Sequence, residues 1–480
     1  MKDDLQPQGI YVAGRWRLTG DLAENRDPSR PEALVSLQSL ATTCDLDEAV
    51  AAARPAGAAW AALPPQARFA VLDAAGTEIL ARTDEIGRLL SREEGKILPE
   101  AVGEAERAGM IFKFMAGEAM RTGGELHPSL RPGTSVEVTR EPVGVVGIIT
   151  PWNYPIAIPA WKIAPALAFG NAVIFKPAEL VPACAVLLTE ILERAGLPPG
   201  TLSLLPGPGA EIGAAIAAHP GVDAVSFTGS AATGRGVIAT AAARGARVQA
   251  EMGGKNPFVV LEDADLPLAA EAIASGSYLS TGQRCTASSR IIVVEAVHDA
   301  LVEALAKKVS ALRCGPADDA ASSYGPVVDA RQLASNRAHV RGALEEGAEL
   351  VTASAEDQGL FMQPVLLAGT TNAMRINREE VFGPVAAVIP AADYDEALAL
   401  ANDTSFGLSA GIATRSMTRA QHFRRHVRAG MVMVNGPTAG VDFHVPFGGT
   451  RGSSYGPREQ GTHAREFFTQ VKTAYISPVG

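Results

Sequence analysis

Short apolar runs alternate with helix-like stretches through the middle of this chain, and this alternation restricts its fold more than any other feature. The apolar runs fall at 143–150, 172–176, 203–205 and 224–228, and helix-like stretches lie between them at 183–195 and 211–218. Strands that alternate with helices at this spacing are typical of a parallel sheet covered by helices on both faces. The predicted fold class is therefore α/β, with a doubly wound sheet.

The same alternation resumes beyond residue 251 and predicts a second α/β domain. Strands are expected at 257–261 and 290–294, and helices at 266–279 and 298–312. The chain of 480 residues also exceeds the ~250–300 residues at which a single core usually stops growing. Two domains are therefore expected, with the glycine pair at 253–254 as the hinge between them.

Helices and extended segments surround these two alternating regions. Helical patterning dominates the first part of the chain, with helices predicted from Asp45 and over 64–81 and 100–120. The segment 123–141 breaks the pattern and, like the apolar-alternating tail at 467–476, is predicted to be extended. Exposed strand edges of this kind usually find a partner.

Charge and cysteine usage argue against several classes of function. The net charge is −10 and no run of five basic residues occurs, unlike a nucleic-acid-binding surface. No metal site is predicted, because the four cysteines form no CxxC pair and the eight histidines are interpreted as lacking a ligand spacing such as H-x-x-x-H. The apolar window 156–175 contains Lys162 and two prolines, unlike a membrane span, and the N-terminus lacks a signal-peptide pattern. We expect a cytoplasmic protein.

The segment Ser280-Thr-Gly-Gln-Arg-Cys285-Thr286 places one cysteine in a small, polar turn. A thiolate is a good nucleophile, and the neighbouring Arg284 is expected to lower the pKa of the thiol. The alternative is a buried structural cysteine, which is the interpretation for the three others: Cys44, Cys184 and Cys314.

Two further motifs supply what acyl chemistry through a thioester requires. Asn153, in Thr150-Pro-Trp-Asn-Tyr-Pro155, offers an amide that can stabilise an oxyanion, and Glu251, in Glu251-Met-Gly-Gly-Lys-Asn-Pro257, offers a base. The alternatives are an asparagine that caps a helix beginning near Tyr154 and an exposed glutamate at a strand end. A nucleophile, an oxyanion donor and a base together predict a catalytic site.

These motifs, with the segments 175–179, 227–230, 379–384 and 446–449 in the same order, resemble the aldehyde dehydrogenase family over about 11–475. The segments 281–290 and 440–461 are most similar to its α-ketoglutaric semialdehyde dehydrogenases. The resemblance implies an aldehyde dehydrogenase-like fold with an NAD-binding domain, a catalytic domain and a small β oligomerisation segment. The boundaries expected for these three parts are 1–122 with 142–250, 251–450, and 123–141 with 466–480.

The resemblance also implies the oxidation of an aldehyde to a carboxylic acid. Cys285 would add to the aldehyde, Asn153 would stabilise the oxyanion, and Glu251 would activate water against the thioester. Lys162 is placed among the catalytic residues on the same basis. Relatives that transfer the acyl group to coenzyme A lack the glutamate, so hydrolysis is expected.

The expected cofactor is NAD, although G-x-G-x-x-G is absent. The strand at 224–228 runs into a helix, so Ser230 and its neighbouring amides suit a pyrophosphate, although a plain strand–turn–helix fits as well. By resemblance, Lys176 and Glu179 hold the adenosine ribose, and the Glu179 carboxylate favours NAD, with NADP still possible because of Lys176. The full predicted set is Thr150, Pro151, Trp152, Lys176, Glu179, Gly209, Phe227, Thr228, Gly229, Ser230, Gly234, Gly253, Glu380 and Phe382, the last two at the nicotinamide ribose and ring.

The predicted substrate is a small aldehyde that carries a carboxylate, with α-ketoglutaric semialdehyde as the leading candidate. Some semialdehyde dehydrogenases carry an arginine before the lysine of the catalytic helix, but this chain has Trp161 there. Arg284 and Arg107 are the candidate anchors, since arginine binds carboxylates in a bidentate manner, and each has a structural ion pair as its alternative. Trp161, Phe443, His444 and Phe447 are expected to shape the substrate tunnel.

Three other functions remain open from the sequence. The same chemistry would serve a plain aliphatic or aromatic aldehyde, acyl transfer to coenzyme A would require a different second half, and a scaffold protein would bind NAD without turnover. The family resemblance further predicts a homodimer or homotetramer. The segment 454–459, with its proline at 457, departs from the family's usual S-G-x-G-R-E ending.

Overall fold

The computed structural model describes residues 5–121, 123–352 and 357–478. The ends of the predicted parts at 1–4, 122 and 479–480 therefore lie outside the described residues. The described strands are, in chain order, β1 (Ile10–Val12), β2 (Arg15–Arg17), β3 (Leu22–Asp27), β4 (Arg30–Ser39), β5 (Glu125–Pro128), β6 (Ser135–Pro142), β7 (Val145–Ile149), β8 (Ala172–Lys176), β9 (Leu202–Leu204), β10 (Ala224–Thr228), β11 (Arg247–Glu251), β12 (Asn256–Val260), β13 (Ser288–Val294), β14 (Glu349–Leu350), β15 (Val365–Ala368), β16 (Val385–Ala391), β17 (Ser409–Ala413), β18 (Met431–Val434), β19 (Ser454–Tyr455) and β20 (Thr469–Ile476).

The described helices pack around these strands. They are α1 (Thr43–Ala62), α2 (Pro65–Ala81), α3 (Thr83–Glu94), α4 (Leu98–Ala119), α5 (Ala157–Ala168), α6 (Pro182–Arg194), α7 (Ala214–Ala218), α8 (Ala231–Ala243), α9 (Leu266–Tyr278), α10 (His298–Ser310), α11 (Ala330–Glu345), α12 (Arg375–Arg378), α13 (Tyr394–Asn402), α14 (Met417–His426) and α15 (Arg465–Phe468). None of the described helices is both long enough and apolar enough to cross a membrane.

Two large sheets carry the fold. The first has the order β19-β11-β10-β7-β8-β9-β1-β2, and the second has the order β14-β15-β16-β13-β12-β17-β18. The five central strands β11-β10-β7-β8-β9 and the six strands from β15 to β18 are parallel. The chain crosses from the first sheet to the second at Gly253–Gly254, between β11 and β12. The predicted doubly wound α/β class is confirmed.

Alternating side chains of the parallel strands enter two different cores. On β8, Val173 and Phe175 belong to the core that includes α2, α4 and α5, whereas Ala172 and Ile174 belong to the core on the opposite face of the sheet. This period of two follows from the pleat of a strand that is buried on both faces. Helix α5 is completely buried inside the first of these cores.

The first forty residues differ from the predicted helical start, because β1–β4 precede α1. Strands β1 and β2 extend the first sheet, and β3 pairs with β4. Helix α1 begins at Thr43, and Thr42 caps it in a reciprocal arrangement with Asp45. Asp45 is therefore the third residue of the helix and part of its cap.

The two segments predicted to be extended pair with each other in a third sheet. Strand β20 pairs with β6 in antiparallel register, from Thr469 opposite Pro142 to Ile476 opposite Ser135, and β5 pairs with the other edge of β6. Phe467 and Phe468, predicted as part of the exposed tail strand, are instead buried in the short helix α15. Large apolar side chains such as Leu126 and Tyr475 remain exposed on this sheet.

Candidate active site

Cys285 follows a tight left-handed turn that leads into β13. Ser280, Thr281 and Gly282 have φ values of 50°, 59° and 63°. Non-glycine residues adopt such values at a cost, so the surrounding contacts must enforce them. Thr281 Oγ1 donates to the carbonyl of Gly325 (3.0 Å), and a Cβ at residue 282 would collide with the carbonyl of Gly383. Cys285 is thus held by a constrained backbone and remains partly exposed.

Asn153 lies next to the nucleophile turn. Its Nδ2 donates to the carbonyl of Gln283 (2.8 Å), which couples the side chain to the segment that precedes Cys285. Asn153 does not cap α5, which begins at Ala157 without a side-chain cap from its own segment. Glu104 of α4 takes that role, because its Oε1 accepts from the backbone amides of Ile156 (3.0 Å) and Ala157 (3.1 Å). The helix-cap alternative for Asn153 is therefore wrong.

Glu251 ends β11 and is buried, with only 2% of its surface exposed. Ser454 Oγ donates to its Oε2 (2.6 Å), whereas Oε1 has no hydrogen-bond partner among the described residues. Burial raises the pKa of Glu251 well above its usual value, and the negative charge of Glu459 adds to this effect. The hydrogen bond from Ser454 and the charge of Lys162 oppose it. The carboxyl group is a strong base once it is ionised.

Lys162 lies behind Glu251 in the interior of α5. Its Nζ forms an ion pair with Glu459 and donates to Ser226 Oγ (2.9 Å), and both partners of the ion pair are almost completely buried. Lys162 therefore influences Glu251 through its charge, and no described contact joins Lys162 to Cys285.

The charges around Cys285 disfavour a thiolate. Burial, with the carboxylates of Glu380 and Glu251, raises the pKa of the thiol to about 12. The sequence predicted that Arg284 would lower the pKa of this thiol. The guanidinium points elsewhere, because its Nη2 donates to Glu100 (2.7 Å) and to Ser280 Oγ (2.8 Å). That prediction is wrong because adjacent residues in a turn can point in different directions.

A cavity of about 300 Å³ joins three of the four predicted catalytic side chains, all except Lys162, to most of the predicted cofactor residues. The predicted residues that line it are Pro151, Trp152, Asn153, Trp161, Thr228, Gly229, Ser230, Glu251, Gly253, Cys285, Glu380, Phe382 and Phe447. The structure thus brings the chemical groups and the candidate cofactor groups into one site.

One end of this cavity is built around Glu380 and Phe382. Glu380 Oε1 accepts from the backbone amide of Gly254 (2.9 Å), and burial raises the pKa of Glu380 to about 7. A Cβ at Gly253 would collide with the Glu380 carboxylate, so a larger residue there would displace that side chain. Phe382 has a positive φ of 61°, and its ring meets the ring of Trp152 edge to face, with centroids 5.4 Å apart. These groups form one wall of mixed polar and aromatic character.

The turn after β10 leads directly into α8. Ser230 caps α8, and its Oγ accepts from the amide of Thr233 (3.3 Å). Gly229 and Gly234 allow close packing, because a Cβ at either residue would lie 2.6 Å from Phe227 Cζ or 2.5 Å from Met252 Sδ. This helix N-terminus faces the cavity and suits an anion.

A second group of predicted cofactor residues lies at the end of β8. Lys176 Nζ lies 3.5 Å from Glu179 Oε1, and the same carboxylate accepts from the backbone amide of Gly209. Burial lowers the pKa of Lys176, while Glu179 opposes that shift. Lys176, Glu179 and Gly209 therefore form one cluster, as predicted.

Unpartnered polar atoms make the site suitable for a dinucleotide. Thr150 Oγ1 and Thr228 Oγ1 are buried and have no hydrogen-bond partner among the described residues. Buried polar atoms rarely lack a partner, so these hydroxyls are available to a polar ligand. With Ser230 at a helix N-terminus and the Glu380 carboxylate, the residues present fit a nicotinamide dinucleotide.

The predicted substrate residues divide into two groups. Trp161 and Phe447 stack with ring centroids 5.5 Å apart and line the cavity. Arg107, Arg284 and Phe443 do not line it. Phe443 packs edge to face against Phe114 of α4 at 6.1 Å, and Arg107 donates to the backbone carbonyl of Val441 in the same loop.

Comparison with known proteins identifies the chain. The sequence profile of the aldehyde dehydrogenase family matches residues 17–474. The chain belongs to the aldehyde dehydrogenase family. An α-ketoglutarate semialdehyde dehydrogenase of Haloferax volcanii is 43% identical over 98% of this chain and 99% of its own. An α-ketoglutaric semialdehyde dehydrogenase of Bacillus subtilis is 40% identical over 98% of each chain. The resemblance stated from the motifs is confirmed.

A solved structure gives the same result for the fold. A crystal structure of betaine aldehyde dehydrogenase from Staphylococcus aureus in complex with NAD+ superposes with a TM-score of 0.95, at 32% identity, and the match covers 99% of this chain and 95% of that chain. The aldehyde dehydrogenase-like fold is therefore confirmed.

Several residues of this aldehyde dehydrogenase site had no signal in the sequence. Glu459 accepts from Lys162 and Ser454 donates to Glu251, and each of these partners lies more than 200 positions away along the chain. Gln332 donates to the carbonyl of Val381 (2.9 Å) and so supports the segment that carries Phe382. The cavity-lining residues that were not predicted are Ile158, Met252, Arg331, Gln332, Ser335 and Val381. The sequence signal that would have identified these residues is their position at the ends of helices and strands beside the recognised motifs.

Two smaller expectations require correction. Cys44, interpreted as a buried structural cysteine, is exposed, whereas Cys184 is buried and Cys314 is partly buried. His422 and His426 do have the four-residue spacing of helical metal ligands, and their rings stack at 3.9 Å. No group of three or more ligand side chains that could hold a metal ion occurs in residues 5–121, 123–352 and 357–478.

Proposed function

We propose that this aldehyde dehydrogenase oxidises a carboxylate-bearing aldehyde to the corresponding acid, with NAD as the cofactor and α-ketoglutaric semialdehyde as the preferred substrate. The observation that carries the proposal is the single cavity lined by Cys285, Asn153 and Glu251 together with Ser230 and Glu380. The names of the two relatives from H. volcanii and B. subtilis support the choice of substrate.

In the first half of the reaction, the Cys285 thiol gives up its proton to solvent, its Sγ forms a bond to the aldehyde carbon, and the carbonyl π bond breaks to leave an oxyanion. Asn153 Nδ2 and the backbone N–H of Cys285 donate to that oxygen, and one such donor is typically worth ~10²–10³ in rate. NAD, when bound, supplies the acceptor for the hydride that leaves the same carbon. Lys176, Glu179, Ser230 and Glu380 are the residues proposed to hold the cofactor.

In the second half, Glu251 accepts a proton from a water molecule that attacks the thioester carbon. The carbon–sulfur bond then breaks, and the acid leaves while Cys285 recovers its proton. Glu251 Oε1 is free of protein partners among the described residues, which leaves this atom to contact water. Acyl transfer to coenzyme A would make this base unnecessary, so hydrolysis is the proposed route.

A pair of arginines supports a substrate with a carboxylate. Arg107 and Arg284 both interact electrostatically with the phenol of Tyr154, the residue that follows Asn153. Each guanidinium has a buried Nε without a hydrogen-bond partner among the described residues. These spare donors suit a carboxylate that reaches beyond the cavity, which neither arginine lines, and Arg284 also forms an ion pair with Glu100.

The proposal includes the assembly and the division of labour between the domains. The first sheet would bind NAD, the second sheet would carry Cys285, and the sheet β20-β6-β5 would join subunits as a homodimer or homotetramer in the cytoplasm. Exposed apolar residues on that third sheet support the last point. Sedimentation of the purified protein would measure the oligomeric state.

A substrate panel tests the proposed reaction. Purified protein would be assayed for NADH or NADPH formation with α-ketoglutaric semialdehyde, other carboxylated aldehydes and plain aliphatic or aromatic aldehydes, with and without coenzyme A. We expect the highest kcat/KM with the first substrate and NAD, no stimulation by coenzyme A, and no turnover by Cys285→Ala. Oxidation by Cys285→Ala would refute the mechanism.

Single substitutions test the arginines. Arg107→Met should lower kcat/KM for the carboxylated aldehyde by ~10-fold or more and leave kcat/KM for hexanal nearly unchanged, because only the first substrate needs the anchor. Arg284→Met should lower kcat/KM for both aldehydes, and more for the carboxylated one, because Arg284 also pairs with Glu100 beside the turn that precedes Cys285. Arg121→Met is the matched control, because Arg121 lies just beyond the end of α4, the helix that carries Arg107, and its side chain is exposed. Equal losses for both aldehydes would contradict the anchor.

A further inference from the structure

A buried ion pair lies directly behind the oxyanion residue. Lys96 Nζ and Glu104 Oε2 are 2.7 Å apart, and each side chain is only 1% exposed. Lys96 lies in the loop just before α4. Glu104 lies within α4, one turn beyond Glu100. Such a pair is a poor source of stability, because desolvation offsets much of its attraction. Its contacts are therefore more informative than its strength.

Beyond the bond between them, the side chains of this pair form hydrogen bonds with the segment that carries Asn153. Lys96 Nζ donates to the backbone carbonyl of Asn153 (2.8 Å) and lies 3.8 Å from the centre of the Tyr154 ring. Glu104 Oε1 accepts from the amides of Ile156 and Ala157, at the start of α5. The ion pair thus binds this segment at both of its ends. A fully bonded buried network of this kind restricts its members to one arrangement.

Glu100, between the two in sequence, holds the opposite side of the site. Its Oε1 accepts from the backbone amide of Ser280 (3.1 Å) and from Arg284 Nη2 (2.7 Å), the two ends of the strained turn that precedes Cys285. Glu100 and Glu104 are four residues apart in α4, a spacing that places side chains on one face of a helix, and Lys96 lies in the loop just before it. The start of α4 and the loop before it therefore contact both segments that would bind the oxyanion.

We infer that Lys96, Glu100 and Glu104 are positioning residues that set the distance between the Asn153 amide and the Cys285 backbone N–H. The inference rests on the proposed function, because it assumes an oxyanion between these two donors. A misplacement of ~1 Å in such a site can cost ~10²-fold in rate, so the geometry behind Asn153 matters as much as the amide itself. None of the three residues lines the cavity.

The test is a double-mutant cycle that uses the transient rate of the first turnover. Glu104→Gln keeps the shape and one acceptor oxygen but removes the charge that holds Lys96, and Lys96→Met removes the contact with the Asn153 carbonyl. Each should lower the rate of NADH formation in the first turnover by ~10–100-fold and leave the Kd for NAD nearly unchanged. In an Asn153→Ala background the same substitutions should have little further effect, because they act through Asn153.

The pair between Lys113 and Asp73 supplies the control. It lies farther along α4, its atoms are also 2.7 Å apart, and its side chains are 32% and 39% exposed. Lys113→Met should leave the first-turnover rate within about twofold of wild type, since an exposed pair contributes little. Folding of all variants would be checked by near-ultraviolet circular dichroism, and the cycle with Glu104→Gln alone suffices if Lys96→Met does not fold.

Two results would overturn the inference. One is a folded Glu104→Gln protein with a first-turnover rate within twofold of wild type. The other is a double variant of Glu104→Gln and Asn153→Ala in which the loss of first-turnover rate equals the product of the two single losses. Absence of aldehyde oxidation by the wild-type protein is a different result, which would refute the proposed function itself.

Discussion

Two buried lysine–glutamate pairs involve helix α5, one at its start and one through Lys162 in its interior. They differ in what they contact. Lys96 and Glu104 bind backbone atoms of the segment from Asn153 to Ala157. Lys162 and Glu459 bind each other and the side chain of Ser226, and they reach Glu251 through their charges. The same chemical pair can therefore act in two ways, by fixing a geometry or by shifting the pKa of a neighbour.

This difference explains why each pair stands where it does. The proposed oxyanion donor is a neutral amide, so only its position can be adjusted. The proposed base is a carboxyl group, so its protonation also can be adjusted. The following predictions test this contrast from the largest expected effect to the smallest.

Glu251→Gln removes the base that the Lys162–Glu459 pair would influence. We expect kcat to fall by ~10²–10⁴-fold, because the thioester loses its general base. The first turnover should still yield about one NADH per active site, since acyl formation precedes that step. Intact-protein mass spectrometry should show the acyl group on Cys285. Glu106→Gln, an exposed glutamate on α4, is the matched control and should behave as wild type. Slow turnover without a covalent adduct would contradict the assigned role.

Glu459→Gln and Glu104→Gln compare the two pairs directly. The charge of Glu459 raises the pKa of Glu251, so its removal should shift the acid limb of the kcat–pH profile to lower pH. The plateau should stay within about twofold of wild type, because the base itself is retained. Glu104→Gln should lower the plateau without moving the acid limb. If both variants moved the limb, or neither did, the contrast between charge and geometry would fail.

Glu380→Gln gives the smallest effect and tests charge alone. The Glu380 carboxylate contributes to the raised pKa of Cys285, so its removal should increase the thiolate fraction and speed alkylation by iodoacetamide in the cofactor-free protein. We expect an increase of ~2–5-fold above pH 7. Below that pH the difference should vanish, because Glu380, with a pKa of about 7, is then protonated. Glu379→Gln serves as the neighbouring control, since that carboxylate pairs with Arg375.

Much of the architecture could be predicted because its signals are local. The predicted strand at 224–228 matches β10 residue for residue, and the predicted helix at 266–279 ends one residue beyond α9. Strands β1–β4 were missed although β1 pairs with β2 and β3 with β4 across short turns. Strands β1 and β2 have only three residues each, irregularities interrupt the register of β3 with β4, and the burial of β4 does not alternate. The helix predicted at 211–218 begins instead with a wide turn at 209–213, which the glycine and proline before it did not indicate.

By itself, the sequence indicated the candidate reactive groups of this aldehyde dehydrogenase and the α/β class of the fold that carries them. Cys285, Asn153 and Glu251 stand in short motifs whose residue types indicate their chemistry. Only the tertiary structure decided which groups support them. Lys162 meets Glu459 across 297 positions, and Arg284 turns from its neighbour Cys285 toward Glu100. Buried charges must be paired wherever the folded chain brings a partner close, and no local pattern records that requirement.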